Sequence, residues 1–168
     1  MSKKIVIKGK KTFDKLNDKK PVRDVKWSDN KTLLNEKEQI TILNKLFLEN
    51  NYEGDTFVKK EVERKIRSYK YQDVKKNVYD STQFISYDEV MEKLVISKLK
   101  CNYCRKNCLL MYNNVREMRQ WTLDRIDNSD GHTNKNTVIC CLDCNLKRGT
   151  LNDKKFKFTK QLKITKKY

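Results

Sequence analysis

The chain has one proline, Pro21, one histidine, His132, and four glycines among its 168 residues, and no long apolar run. A membrane-spanning helix needs about 20 consecutive apolar residues, so none is expected here. The opening residues MSKKIVIKGKKTF lack the apolar stretch of a secretory signal. The expected location is therefore intracellular: cytoplasmic or, in the setting of a eukaryotic virus, nuclear or at a viral factory, and not secreted. Acidic residues are outnumbered, 22 against 39 Lys and Arg, for a net charge of +17 and a pI near 9.6. A field of that sign favours a polyanionic partner, nucleic acid before an anionic membrane surface. Only 37% of residues are hydrophobic and 36% are charged, so the core should be modest and would benefit from a metal.

Six cysteines in a secreted chain would suggest disulfides. In a reducing compartment, pairs spaced Cys-x-x-Cys point to metal instead.

Residues 1–30 carry ten Lys or Arg against four Asp and include the proline, and they show little periodicity. They are expected to form a basic, largely extended arm, either a solubilising tail or a DNA contact. Residues 31–84 are expected to be helical and to offer a DNA-binding surface. Ile40, Leu43, Leu46 and Phe47 recur at helical spacing within Leu34–Asn50. A second helix over Thr56–Asn77 has an apolar face of Phe57, Val58, Val62, Ile66, Tyr69 and Val74. Its other face, with Arg64, Lys65, Arg67, Lys70, Lys75 and Lys76, suits a phosphate backbone. A solvated face with pairs such as Glu61 and Lys65 is the competing reading.

Residues 85–152 open with a helix start: Ser86 and Glu89 have capping-box spacing, and Ile85 and Val90 sit where a hydrophobic staple closes. Trp121–Ile126 and Thr137–Cys140 have strand character, Asn128-Ser129-Asp130-Gly131 is loop chemistry, and Asp143–Arg148 is helix-compatible with Gly149 as its stop. In the basic segment 153–168, Asp153 is placed to cap a short helix bearing Phe156 and Leu162, with alternation around Phe156 and Phe158 as the signal for a strand instead. Charge concentrates at the ends, +6 over residues 1–30 and +8 over 147–168, which suits a module gripping phosphates on both sides of a site.

Cys101-Asn-Tyr-Cys104 and Cys141-Leu-Asp-Cys144 are two knuckles able to close a tetrahedral structural zinc, with Cys108 and Cys140 left outside it. Between and after them come Leu-Asp124-Arg125-Ile-Asp127, Gly-His132, Asn136, and Asn145 with Lys147-Arg148-Gly149. This order resembles the zinc-containing HNH endonucleases of the ββα-metal fold over roughly residues 95–150. The resemblance implies an α+β fold, a ββα core held by a four-cysteine zinc and preceded by a helical region, and a Mg²⁺- or Mn²⁺-dependent DNA endonuclease of homing, restriction or phage or viral type.

Carried over by position, Asp124 and Asn145 match the residues that hold the catalytic cation, hard oxygen ligands that leave room for water and phosphate. Asn136 matches the asparagine that ties the loop down, and Lys147 and Arg148 are the DNA-contacting basic pair. The departure is Arg125, which stands where most of the family has a general-base histidine. An arginine stays protonated and suits a phosphate clamp. Proton transfer near neutral pH then points to His132, whose other reading is a phosphate-binding or space-filling loop residue. Tyr103 and Tyr112 are weaker candidates because a free phenol titrates near pH 10. Asp127 is either an anchor for Arg125 or His132 or an ordinary loop carboxylate. The alternative function is a zinc-stabilised nucleic-acid-binding module without catalysis, and RNA stands beside DNA as a substrate. Double-strand cleavage would favour a homodimer.

Overall fold

Side-chain caps start three of the six described helices. In the computed structural model, which describes residues 21–50, 52–163 and 165, Asn30 caps a single turn, α1 (Lys31–Leu34), by accepting from Leu33 N at 3.0 Å. Helix α2 (Gln39–Phe47) follows, then the long α3 (Asp55–Lys75). Helix α4 (Tyr87–Ser97) begins at a complete capping box: Glu89 N donates to Ser86 Oγ at 3.2 Å and Ser86 N to Glu89 Oε2 at 2.8 Å. Lys98 and Leu99 both take positive φ, 51° and 52°, and turn the chain out of α4 towards Cys101.

Strands β1 (Trp121–Arg125) and β2 (Thr137–Cys141) pair antiparallel, Trp121 opposite Cys141 and Arg125 opposite Thr137. Helix α5 (Leu142–Arg148) leaves β2 directly and packs back on both strands. The first N–H groups of α5 have no partner within the helix, and two of them are satisfied from the segment before β1: Leu142 N donates to Gln120 O at 3.0 Å and Asp143 N to Met118 O at 3.0 Å. Helix α6 (Asp153–Gln161) ends the described chain; its cap is Asn152, accepting from Lys155 N at 3.1 Å, and not Asp153. Phe156 on this helix is buried, whereas Leu162, just past its end, is exposed. The architecture is mixed α and β: helices around one small two-stranded sheet. Among the described residues no helix is long and apolar enough to cross a membrane.

One continuous core joins Val58 and Val62 of α3, Leu43 of α2, Val90 and Leu94 of α4, and Trp121, Leu123 and Ile139 of the hairpin. Each such side chain contributes about 1.5–3 kcal/mol on burial. The phase of α2 differs from the periodicity reading, since Ile40 and Phe47 are exposed and Gln39 is buried with Ile42, Leu43 and Leu46. Gln39 is held inside by backbone groups of other segments. Its Nε2 donates to Leu33 O at 3.1 Å and Met111 O at 2.9 Å, and its Oε1 accepts from Leu110 N at 2.6 Å. A buried amide with its bonds made carries little desolvation penalty. The same bonds satisfy backbone groups of Leu110 and Met111, next to Leu109, which bridges in parallel to Gln120.

Residues 1–20 of the expected arm lie outside the described residues. Its last part is packed: Val22 bridges to Asn114, Arg23 pairs with Glu61 at 2.8 Å, and Trp27 is buried.

Candidate functional site

The two cysteine knuckles meet. The Sγ atoms of Cys101, Cys104, Cys141 and Cys144 all lie within 4.8 Å of one another, and Cys104 and Cys141 are 3.9 Å apart. Four thiolates at the zinc–sulfur distance of about 2.3 Å place their sulfurs about 3.8 Å apart, so this cluster can hold a metal ion such as zinc. Asn102 N donates to Ile139 O at 2.9 Å, stitching the first knuckle to β2. Hydrogen bonding from Cys141 pulls the Cys101 thiol down, while the same bond pushes Cys141 up and burial pushes Cys144 up. A bound divalent cation would take all four sulfurs as thiolates. Cys108 and Cys140 stand outside the cluster, both pushed up by burial, with Cys140 Sγ 3.2 Å from Thr122 Oγ1.

Beside the cluster, Asp124 is buried at the end of β1. Its Oδ2 accepts from Tyr103 Oη at 2.6 Å, a residue inside the first knuckle, and from Arg148 Nε at 2.5 Å; its Oδ1 accepts from Arg148 Nη2 at 2.9 Å. Arg148 is 2% exposed and also donates to Arg125 O, Asn128 Oδ1 and Leu151 O. The expected DNA-contacting role of Arg148 is therefore corrected: its guanidinium faces inward because it neutralises a buried carboxylate. Lys147 is exposed and pairs with Asp143 one turn back at 2.8 Å. A carboxylate offers about four acceptor positions, and three on Asp124 are taken, leaving one on Oδ1. Asn145, at the first turns of α5, uses its amide nitrogen on Thr122 Oγ1 at 3.1 Å and Leu123 O at 3.4 Å, while its Oδ1 has no protein partner among the described residues.

Asp124, Arg125, His132 and Asn145 all line one groove of about 600 Å³. Its opposite wall is α3, which contributes Arg64, Lys65 and Tyr69, with Lys76 just past its end. Four cations, with Arg125, thus face one carboxylate.

Helix α3 also departs from the simple two-faced reading. Val74 is 51% exposed, and Lys65, expected on the phosphate-facing side, is 6% exposed. Its ammonium lies over the rings of Trp121 at 4.7 Å and Tyr112 at 5.2 Å and donates to Gln120 Oε1 at 2.8 Å and to Trp121 O. Burial lowers its pKa to about 7.

Asp73, which the sequence reading did not single out, is fully buried at the end of α3. Its Oδ2 accepts from His132 N at 2.6 Å, its Oδ1 lies 2.7 Å from His132 Nδ1, and Arg125 Nη1 is 3.6 Å from Oδ1. Asp73 falls on the buried stripe Val58, Val62, Tyr69, and a carboxylate on an apolar stripe is the signal that marks it. The Tyr69 ring packs on the imidazole with centroids 4.7 Å apart, and its hydroxyl accepts from Leu123 N at 3.0 Å. Burial lowers the His132 pKa, Asp73 opposes that, and Arg125 and Lys76 add to it.

Asn136 clips the loop as expected, accepting from Asp127 N at 2.8 Å and donating to Asp127 O at 2.9 Å and Gly131 O at 3.0 Å. Asp127 is exposed and accepts from Ser129 N and Oγ at 2.9 and 2.6 Å, the ordinary loop role. Tyr103 and Tyr112 have their hydroxyls engaged, on Asp124 and on Gln120 Oε1 at 2.7 Å, and burial pushes both phenols up. Comparison of the chain with protein-family models, with curated proteins and with solved structures finds no match. Its own geometry defines a small α+β chain with a four-cysteine cluster able to hold metal beside a cation-lined groove.

Proposed function

We propose that this is a metal-dependent endonuclease, with the hairpin and α5 as an HNH-type ββα-metal core and the four cysteines as its structural zinc site. The observation that supports it most is the convergence of Asp124, Arg125, His132 and Asn145, spread over 22 positions, on one groove with complementary vacant functions. The residues fit a hard divalent cation: an unpartnered amide oxygen on Asn145 and one remaining acceptor position on Asp124 face the same space. When bound, Mg²⁺ or Mn²⁺ supplies neutralisation of the charge that develops on the phosphate and the leaving oxygen.

The protein's own groups then divide the work. His132 Nε2 accepts a proton from water as the water oxygen bonds to phosphorus; the bond from phosphorus to the 3′ oxygen breaks, that oxygen takes a proton from solvent, and His132 later returns its proton to solvent. Arg125 has donors to spare beyond its 3.0 Å bond to Asp130 O and holds a phosphate oxygen. Tyr103 and Arg148 orient Asp124 from behind, as partners of metal ligands commonly do. DNA is the proposed substrate, with RNA offering the same chemistry.

The alternative, a nucleic-acid-binding module without catalysis, is favoured by one observation: the buried Arg148–Asp124 pair already occupies most of the carboxylate. Supercoiled plasmid separates the two. Wild type with Mg²⁺ should nick it, and Asp124→Ala or withholding the cation should abolish nicking. Binding without cleavage of varied DNA and RNA, in Mg²⁺ or Mn²⁺, would establish the module instead.

A further inference from the structure

We infer that Asp73, on α3 and outside the hairpin-and-cysteine core, is the positioning residue for His132: it fixes the imidazole with its proton on Nδ1 and so leaves Nε2 as the proton-accepting atom towards the groove. The inference rests on the reading of His132 as general base.

The geometry is a two-point grip on one residue. Asp73 holds the backbone N–H of His132 through Oδ2 at 2.6 Å and its ring through Oδ1 at 2.7 Å. The peptide is pinned from the other side as well, since Ile85 N donates to His132 O at 2.8 Å. The ring cannot swing: Tyr69 packs on its face, and the residue is 4% exposed. Gly131 permits the approach, because a Cβ there would stand 2.5 Å from Val78 O and 3.2 Å from Asp73 Oδ2. A carboxylate only accepts, so the nitrogen facing Asp73 carries the hydrogen, and the partner of one ring nitrogen decides the state of the other. Among the described residues the sealed, unpartnered polar side-chain atoms are Tyr52 Oη, Tyr87 Oη and Asn113 Oδ1. Nε2 of His132 is not among them and has no protein partner among the described residues, so it is open to the groove that His132 lines.

A purely structural clip would need only the backbone bond. The second bond, to the ring, is what sets the tautomer. The charged groups around the imidazole are Asp73, Arg125 and Lys76, with the Tyr69 ring on its face. Helix α3 therefore supplies part of the reactive unit from a region in which the sequence suggested only core packing and a DNA-binding or solvated face.

The chain has one histidine, so ¹⁵N-labelled histidine reports this ring and no other. The wild-type spectrum should show the hydrogen on Nδ1 and an unprotonated Nε2 at pH 7.5; a hydrogen on Nε2 overturns the inference. In Asp73→Asn the amide oxygen can still accept from the backbone while its NH₂ faces Nδ1. The tautomer should then invert, and kcat should fall about 10²–10⁴-fold with KM nearly unchanged, the pattern of a mis-set tautomer. A folded Asp73→Asn protein with the wild-type tautomer or wild-type kcat overturns it too. Should the variant not fold, the wild-type spectrum decides alone. A wild type that cleaves no nucleic acid removes the nuclease reading, while the spectra still decide whether Asp73 sets the ring.

Discussion

Replacing Arg148 by methionine tests whether this arginine serves the interior or the ligand. Methionine fills the path of the side-chain stem but donates nothing, so Asp124 is left buried with Tyr103 as its one remaining partner. Backbone acceptors on Arg125 and Leu151 lose their donors as well. Breaking one side of a buried ion pair costs about 3–5 kcal/mol, and because this pair borders an open groove the lower end applies. At about 2–4 °C per kcal/mol for a chain of this size, the melting temperature should drop by about 6–12 °C. The double variant Asp124→Leu/Arg148→Met should recover most of that loss, since no unpaired charge stays behind. Thermal melts by circular dichroism at fixed zinc and salt measure both. DNA affinity should keep the wild-type salt slope in Arg148→Met, because the lost cation is already matched by Asp124. A melting temperature within 2 °C of wild type, together with a slope smaller by about 0.9, would refute the structural role and return Arg148 to phosphate binding.

Three further outcomes are expected. Purified protein should carry one zinc, and Cys144→Ser or a strong chelator should unfold it; folded protein free of zinc by metal analysis would remove the cluster from the architecture. Gly131→Ala should destabilise the chain by about 1–3 kcal/mol in urea titration, because the added methyl meets Val78 O at 2.5 Å and drives the loop off Asp73; a change under 0.5 kcal/mol would mean the loop yields freely. Burial holds the His132 pKa below 6.5 despite Asp73, so the acid limb of kcat/KM should lie below pH 6.5. The folded state prefers the neutral ring, so this contribution to stability is present above pH 6.5 and is lost as pH falls through the lowered value. A limb above pH 6.5 would exclude His132 as its source.

What the sequence made legible in the fold is what short-range chemistry decides. The α4 capping box involves residues three apart, and the structure has both of its bonds. The strands and the stop at Gly149 are signalled within a few residues of where they occur. The misplaced phase of α2 has the opposite origin. Gln39 is inside because carbonyl and amide groups of Leu33, Leu110 and Met111 meet its side chain, and two of those partners lie over 70 positions away. No periodicity in residues 34–50 carries that information. The packed end of the basic arm is similar: Arg23 reaches Glu61 and the Tyr112 carbonyl, contacts that composition cannot suggest.

In the site, spacing was informative wherever a motif encodes geometry, and charge was not. Cys-x-x-Cys brings two sulfurs to one point by local turn geometry alone, so the four-cysteine cluster could be named from the sequence. Net charge says only that the exterior field is positive. Near the groove the cations that matter most point inward: Arg148 onto Asp124, Arg125 towards Asp73 and Asp130 O, and Lys65 between Tyr112 and Trp121. Asp73 and Asp124 are the groups that turn Arg125 and Arg148 in, while Lys65 is drawn in by two aromatic faces and two neutral oxygens. Arg148 and Lys65 thereby leave the phosphate-binding surface and stiffen the wall of the groove instead, whereas Arg125 keeps donors beyond its bond to Asp130 O. Charge-neutralising variants at Lys65, Arg125 and Arg148 will therefore mix stability with affinity, whereas those at exposed Lys147 will read binding alone.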